Sequence, residues 1–186
     1  EESIHDQFLK AFKKHVEAVN IGNGLDAGVS MGPLVADRRL DIMEGFVSNA
    51  VSEGAELIVG GERVQSSGSF YQPTLLANVP DSAQIMTEEP FGPIAPTATF
   101  ASLDEVIDRA NSLPFGLAAY AFTGSPKTAG VLKTEIESGM LAINSLHIHS
   151  VETPFGGLKN SGYGYEGGIE GLEAFLATKY SSEVYT

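Results

Sequence analysis

The sequence predicts an α/β fold in which a mostly parallel sheet is flanked by helices. Helical and strand patterns alternate along most of the chain, and a strand, a helix and a second strand follow one another between Leu117 and Asn144. This order implies a right-handed parallel crossover. Hydrophobic residues form 42% and charged residues 19% of the 186 residues, with 21 glycines, which is typical of a globular protein. A chain of this length buries roughly 70% of its unfolded surface in one core.

Two helices are predicted in the first third of the chain. Ser3 and Asp6 have the spacing of a capping box, and apolar residues at helical intervals follow them, so the first helix is expected at about 4–19. Asp37 is expected to cap the second helix and Gly54 to end it. Its buried face is predicted to contain Leu40, Met43, Val47, Ala50 and Val51.

Strands are predicted to follow the second helix. The apolar run at 56–59 favours a strand, and residues 94–100 favour another. Residues 68–79 are predicted as two short extended segments at the sheet margin, because Pro73 interrupts them and lacks the amide hydrogen that a central strand requires.

Two further helices begin at clear capping signals. Ser102 with Glu105 forms a capping box for a helix to about residue 111, and Ser125 followed by Pro126 opens the next helix. Gly139 is expected to end that helix. Strands are predicted on either side of it, at 117–123 and 140–144.

The last forty residues are predicted to be mostly a glycine-rich loop, with a short helical period at 172–179. We find no repeat or linker, so residues 1–179 are predicted as one domain. The tail at 180–186 is mostly polar, with Tyr180, Val184 and Tyr185 as its strand-favouring members. It is predicted to extend as an edge strand that joins a neighbouring subunit of a homo-oligomer.

Charge and composition exclude several classes of partner. A net charge of -13 repels phosphate backbones and anionic lipid surfaces, so neither nucleic acid nor a membrane is an expected partner. No apolar run approaches the roughly 20 residues of a membrane span. The absence of cysteine removes disulfides, thiolate metal sites and thiol catalysis, and it is compatible with the reducing cytoplasm where we expect the protein.

Two motifs are the most informative part of the sequence: EEPFGP at 88–93 and PFGGLKNSG at 154–162. Four shorter motifs precede them, each weak alone but specific in their order and spacing: MGPL at 31–34, EGA at 53–55, GG at 60–61 and YQPT at 71–74. Together they resemble the NAD(P)-dependent aldehyde dehydrogenases. Within that family, the stretch at 148–157 resembles the succinate-semialdehyde dehydrogenases.

The resemblance implies a partial catalytic domain. That family acts through a cysteine thiolate, and its dinucleotide-binding domain and general-base glutamate precede the thiol, whereas this chain has no cysteine and no initiator methionine. We therefore expect the C-terminal part of a larger enzyme, which is inactive alone and holds no cofactor tightly. NAD or NADP and a small aldehyde would be ligands of the parent enzyme.

The resemblance also assigns roles to Glu89 and Phe91. In the family, the matching glutamate holds the hydroxyls of the nicotinamide ribose and the matching phenylalanine helps to place the nicotinamide. A carboxylate accepts two hydroxyls at once, and an aromatic ring supplies a rigid apolar wall. Turn chemistry alone would favour an acidic turn before a strand.

Near the second motif, Asn144 and Phe155 match family positions at the reacting centre and in the substrate pocket. Asn144 is expected to be a structural amide that ties the loop together, because buried amides usually hold loops. Packing in the hydrophobic core would explain a phenylalanine at position 155 as well as a place in the substrate pocket does. Lys159 and Ser161 are interpreted as structural.

His149 stands where the resemblance to succinate-semialdehyde dehydrogenases places a serine that helps to hold the substrate carboxylate, and Ser150 lies beside it. An imidazole can donate a hydrogen bond to a carboxylate, so an acidic or polar semialdehyde remains a possible substrate. His147, His149 and Glu152 are a weak metal pattern, and no metal site is predicted.

Residues 162–167 spell G-x-G-x-x-G, but we expect a backbone turn rather than a phosphate site because no buried strand precedes the motif and no long helix follows. The competing interpretation of the whole chain is a non-catalytic interaction module with an oxidoreductase-derived fold.

Overall fold

The computed structural model describes residues 1–64 and 68–185. It divides into two compact units, Glu1–Ala101 and Ser102–Thr186. The α/β class predicted from the sequence is confirmed in both. The described strand pairings comprise two parallel and two antiparallel pairs, in three small sheets.

The first unit opens with helix α1, His5–Glu17, after a 3-10 turn at Glu2–Ile4. The predicted capping box is wrong, because the turn shifts the helix start and Ser3 Oγ instead donates to Glu1 Oε1 at 2.9 Å. No residue of α1 is fully buried, and Phe8 is 50% exposed.

Helix α2 spans Arg38–Ser52 and packs its apolar stripe into the core of the first unit. Asp37 occupies the N-cap position as predicted, but its carboxylate accepts from Ser69 Oγ rather than from a helix amide. Gly54 follows the helix with a φ of 109°, which glycine adopts without strain. Val51 is wrongly predicted as core and is 45% exposed, because it lies at the edge of the stripe. The buried residues are Leu40, Met43, Phe46, Val47 and Ala50.

The sheet of the first unit has the order β1, β2, β3, with strands Glu56–Val59, Thr74–Ala77 and Ile94–Pro96. Strand β2 pairs antiparallel with β1 and parallel with β3, and all four of its residues are buried. The predicted marginal position of residues 68–79 is therefore wrong for β2. Pro73 directly precedes the strand, so its missing amide hydrogen interrupts no ladder bond of β2.

The second unit begins with helix α3, Leu103–Asn111, whose cap is confirmed because Ser102 Oγ accepts from Glu105 N at 3.2 Å. Helix α4, Pro126–Glu135, is capped by Ser125 Oγ, which accepts from Thr128 N. Strands β4 and β5 lie between these helices, at Phe115–Gly116 and Ala118–Ala121.

Strand β6, Met140–Ile143, pairs parallel with β5 and confirms the predicted crossover through α4. Helix α4 ends at Glu135, so Gly139 is not its terminator. A Cβ on Gly139 would overlap the carbonyl oxygen of Gly156, and the two backbones are therefore in direct contact.

The remainder of the second unit is mostly irregular. Strand β7, Leu158–Lys159, pairs antiparallel with β4. Helix α5 covers only Glu170–Glu173, shorter and earlier than the helical period predicted at 172–179. Residues 180–185 are exposed and form no strand in this single chain, and Thr186 of the predicted tail lies outside the described residues. None of the helices in the described ranges has the length and apolar character that a bilayer crossing requires.

Candidate functional site

The loop at 88–93 presents both residues of the first predicted site at the surface. Glu89 is exposed, and Phe91 is 72% exposed with a φ of 45°. Within the described part of the chain, the Glu89 carboxylate forms no hydrogen bond or ion pair. Both of its oxygens therefore remain free to accept hydrogen bonds from a ligand.

Three contacts hold this loop against the first unit. Arg39 Nη2 of α2 donates to the carbonyl oxygen of Pro90. Gly92 lies so close to Met43 that a Cβ on it would overlap Met43 Sδ. The carbonyl oxygen of Pro93 accepts from Thr74 N, at the start of β2, at 2.7 Å. The exposed side chains are thus carried on an anchored backbone.

An ion cluster joins Asp41 and Glu44 of helix α2 to Arg63, which follows strand β1. Arg63 donates to Asp41 and, through two nitrogens, to Glu44. The hydrogen bond from Arg63 is the largest influence on Glu44 and holds the pKa of that carboxyl below its usual value. Burial raises the pKa of Tyr71 to about 12, and the negative charge of Glu44 adds to the shift. Arg63, Asp41 and Glu44 are paired with one another and the Tyr71 ring is buried in the core, so we assign these groups to stability rather than to ligand binding.

The second predicted site lies in the irregular part of the second unit. The His149 and Phe155 rings meet edge to face, with centroids 5.2 Å apart and an interplanar angle of 82°. His149 is exposed and Phe155 half-buried. Phe155 is fixed by two backbone bonds with Glu166, in which Phe155 N donates at 2.6 Å and Phe155 O accepts at 2.8 Å. The His149 imidazole therefore packs against an aromatic side chain whose backbone is held by hydrogen bonds.

Ser150 belongs to a tight turn beside His149. Its backbone N–H donates to Thr153 Oγ1, and Thr153 Oγ1 donates to the carbonyl oxygen of Ser150, both at 3.1 Å. The Ser150 side chain is the largest cause of the lowered pKa of the Glu152 carboxyl, and Ser150 Oγ lies 3.4 Å from Thr153 Oγ1. The Ser150 hydroxyl is thus engaged within its own turn, and the imidazole of His149 is the freer of the two groups.

Asn144 directly follows β6 and has a φ of 57°. Its Nδ2 donates to Thr123 O at 2.9 Å and its Oδ1 accepts from Thr123 N at 2.8 Å. Lys159 and Ser161 also make structural contacts: Lys159 Nζ donates to Asn111 O and Leu113 O, and Ser161 Oγ accepts from Gly116 N. Each of these side chains bonds to backbone atoms of its own unit.

The G-x-G-x-x-G segment is a turn with positive φ at Gly162, Gly164 and Gly167. The preceding strand β7 has two exposed residues and α5 has four residues, so the buried strand and long helix of a dinucleotide-binding motif do not flank it. Among residues 1–64 and 68–185, no three His, Asp or Glu side chains are close enough to share a metal ion.

Two features of the first unit escaped sequence reasoning. The contact between Arg39 and Pro90 spans 51 positions, and no local pattern connects them. An open cavity of about 600 Å³ also lies in the first unit, lined by Ile21, Gly22, Asn23, Pro33, Val64, Gly68 and Phe70. None of the predicted site residues lines it.

Comparison with known proteins identifies the relatives of this chain. The model of the "Aldehyde dehydrogenase family" matches residues 1–181. A putative 4-(hydroxymethyl)benzenesulfonate dehydrogenase of Comamonas testosteroni is 43% identical over 95% of this chain and 37% of its own length. The mitochondrial succinate-semialdehyde dehydrogenase of Homo sapiens is 40% identical over 95% of this chain and 33% of its own.

A solved structure gives the same result. Betaine aldehyde dehydrogenase from Staphylococcus aureus, in complex with NAD+, superposes with a TM-score of 0.89 at 35% identity, over 95% of this chain and 36% of that chain. The chain thus spans about a third of the length of the curated relatives it matches.

Proposed function

Because the chain belongs to the aldehyde dehydrogenase family, we propose that it supplies part of an NAD(P)-dependent enzyme that oxidises an aldehyde to a carboxylic acid. We call this longer protein the parent enzyme. The observation that carries the proposal is the exposed Glu89 carboxylate, which has no partner among the described residues and is held near the exposed Phe91 on an anchored loop.

The first site fits the ribose end of a nicotinamide cofactor. The two oxygens of Glu89 accept two ribose hydroxyls, and the Phe91 ring supplies an apolar wall for the nicotinamide. The bound cofactor would supply the hydride acceptor of the reaction. The NAD+ complex of the staphylococcal relative supports a nicotinamide cofactor, and the proposal covers NAD and NADP alike.

The second site fits an aldehyde that carries a negatively charged group. The His149 imidazole is exposed and can donate to a carboxylate, while Phe155 offers an aromatic surface beside it. The names of two relatives support this class, because succinate semialdehyde carries a carboxylate and a benzenesulfonate carries a sulfonate. We assign His149 the contact to the anion, Ser150 the adjoining turn, Phe155 the pocket wall and Asn144 the support of the loop.

Catalysis requires residues beyond this chain. With no cysteine among its 186 residues, it has no thiol to attack the aldehyde, and we expect it alone to be inactive. The parent enzyme is proposed to be a cytoplasmic homo-oligomer in which the segment 180–186 lies at a subunit contact. The exposed side chains of Tyr180, Val184 and Tyr185 support that placement.

The test uses the parent enzyme with Glu89→Gln. Loss of the charged acceptor is expected to raise the KM for NAD(P) about tenfold or more, because hydrogen bonds to charged groups are the stronger class. The matched control is Glu88→Gln, since Glu88 already accepts from Gln84 Nε2 within its own turn. An unchanged KM in Glu89→Gln would contradict the ribose role.

The substrate class is tested with His149→Ser. Rates for succinate semialdehyde and for an uncharged aldehyde of equal length are compared in the wild type and the variant. The ratio of the two rates is expected to differ between the wild type and the variant, because the substitution alters a contact to the negatively charged group that only succinate semialdehyde carries. A ratio that stays constant would remove His149 from substrate selection.

A further inference from the structure

We propose that Arg39 is a positioning residue for the cofactor ribose, and that it acts through the carbonyl oxygen of Pro90. The inference rests on the proposed function of Glu89. Pro90 lies between Glu89 and Phe91, so the one carbonyl that Arg39 holds belongs to the residue that links the two cofactor-facing side chains.

The contact has the character of a built anchor rather than a chance surface bond. Arg39 is half-buried on α2, and its Nε is buried without a hydrogen-bonding partner among the described residues. Its guanidinium is therefore partly withdrawn from water, and the bond to Pro90 is charge-assisted, which makes it stronger than a neutral one. Arg38, the preceding residue, is exposed and forms no such bond in the described chain.

The loop needs such an anchor because Phe91 has a φ of 45°. A bulky aromatic residue rarely adopts a positive φ, and such a conformation persists only where the surrounding structure imposes it. The end of the loop is fixed by the packing of Gly92 against Met43 and by the hydrogen bond from Thr74 N to Pro93 O. Of the three contacts, the hydrogen bond from Arg39 is the one that acts between Glu89 and Phe91. Without it, Phe91 is expected to relax to negative φ and to move the Glu89 carboxylate.

The experiment compares Arg39→Met with Arg38→Met in the parent enzyme. Both remove one positive charge from neighbouring positions of α2, and both keep a long unbranched side chain. The Kd for NAD(P)H is measured by nicotinamide fluorescence, together with kcat at saturating cofactor and the melting temperature. Arg39→Met is expected to raise Kd about tenfold with a smaller change in kcat, whereas Arg38→Met stays within about twofold.

Two further variants separate positioning from general stability. Arg39→Lys retains a donor and is expected to recover part of the affinity, even if Arg39→Met folds poorly. In the Glu89→Gln background, Arg39→Met is expected to add little, because both act on the same ribose contact. Full additivity, or equal Kd values for the two methionine variants, would overturn the role of Arg39 while leaving that of Glu89 intact. An unchanged Kd in Glu89→Gln alone would instead overturn the proposed function.

Discussion

Asn144 lies opposite Thr123 and forms two hydrogen bonds with its backbone, donating through Nδ2 at 2.9 Å and accepting through Oδ1 at 2.8 Å. The backbone N–H of Asn144 also donates to Ala121 O at 2.8 Å. The side chain therefore continues the β5 and β6 pairing past the point where the backbone of β6 turns away. The structure presents Asn144 as the brace that fixes where the following loop begins.

Asn144→Ala is expected to lower the free energy of unfolding by about 1–3 kcal/mol, because it removes two hydrogen bonds and places alanine at positive φ. Asn144→Gly tolerates that φ and is expected to lose less. Urea denaturation of both variants measures the difference. Equal stability of the alanine variant and the wild type would mean that water replaces the amide without cost.

Gly92→Ala is expected to lower the free energy of unfolding by about 1–3 kcal/mol, because the new Cβ overlaps Met43 Sδ and Met43 is fully buried. The matched control is Gly45→Ala on α2, where a Cβ meets nothing within 4 Å. That control is expected to be neutral or stabilising, since alanine favours a helix over glycine. Thermal unfolding distinguishes them, and a neutral Gly92→Ala would show that Met43 can repack.

Tyr71 is expected to weaken the fold at alkaline pH. Burial is the main cause that raises the pKa of Tyr71 to about 12 from 10.0, so the folded state favours the neutral phenol. Its contribution to stability is complete below pH 10 and is lost as pH rises through 12. Tyr71→Phe keeps the buried ring and should flatten this alkaline loss in urea titrations. Tyr163→Phe, at a fully exposed ring, should leave the loss as it is in the wild type.

Glu44 is expected to stabilise the fold near neutral pH and to lose this contribution in the acidic range. Its pKa lies below 4.5, chiefly because Arg63 hydrogen-bonds the ionised carboxylate. The stabilisation is therefore present above pH 4.5 and is lost as pH falls through the lowered pKa. Glu44→Gln should remove this acidic loss, whereas Glu62→Gln, beside Arg63 but without a bond to it in the described residues, should not. Identical acid profiles for the wild type and Glu44→Gln would contradict the assignment.

Sequence reasoning succeeded where a structural signal is local. Ser102 and Ser125 could be identified as helix caps because the capped amide lies three residues further along the chain, and both bonds are present. The parallel crossover from β5 to β6 followed from the order of adjacent elements. The exposed motif at 88–93 could likewise be identified from consecutive residues.

The remaining features depend on packing between distant positions. The central position of β2 follows from strands on both of its sides, which Pro73 alone does not reveal. The contact of Arg39 with Pro90 and the close approach of Gly92 to Met43 arise only when α2 packs beneath the loop. The predicted cap at Ser3 is absent for a related reason, because a 3-10 turn stands where the first turn of α1 was expected.

The backbone contact between Gly139 and Gly156 limits how substrate preference could be altered by directed evolution. A Cβ on Gly139 would overlap the Gly156 backbone, and a Cβ on Gly156 would overlap the Tyr165 ring and the carbonyl oxygen of Gly164, so neither glycine can be enlarged without moving its neighbours. In a mutant library we would therefore vary His149, Ser150 and Phe155, which lie between the two glycines in the sequence and which we propose to contact the substrate. Randomising the glycines instead would displace the backbone on which the proposed substrate contacts lie.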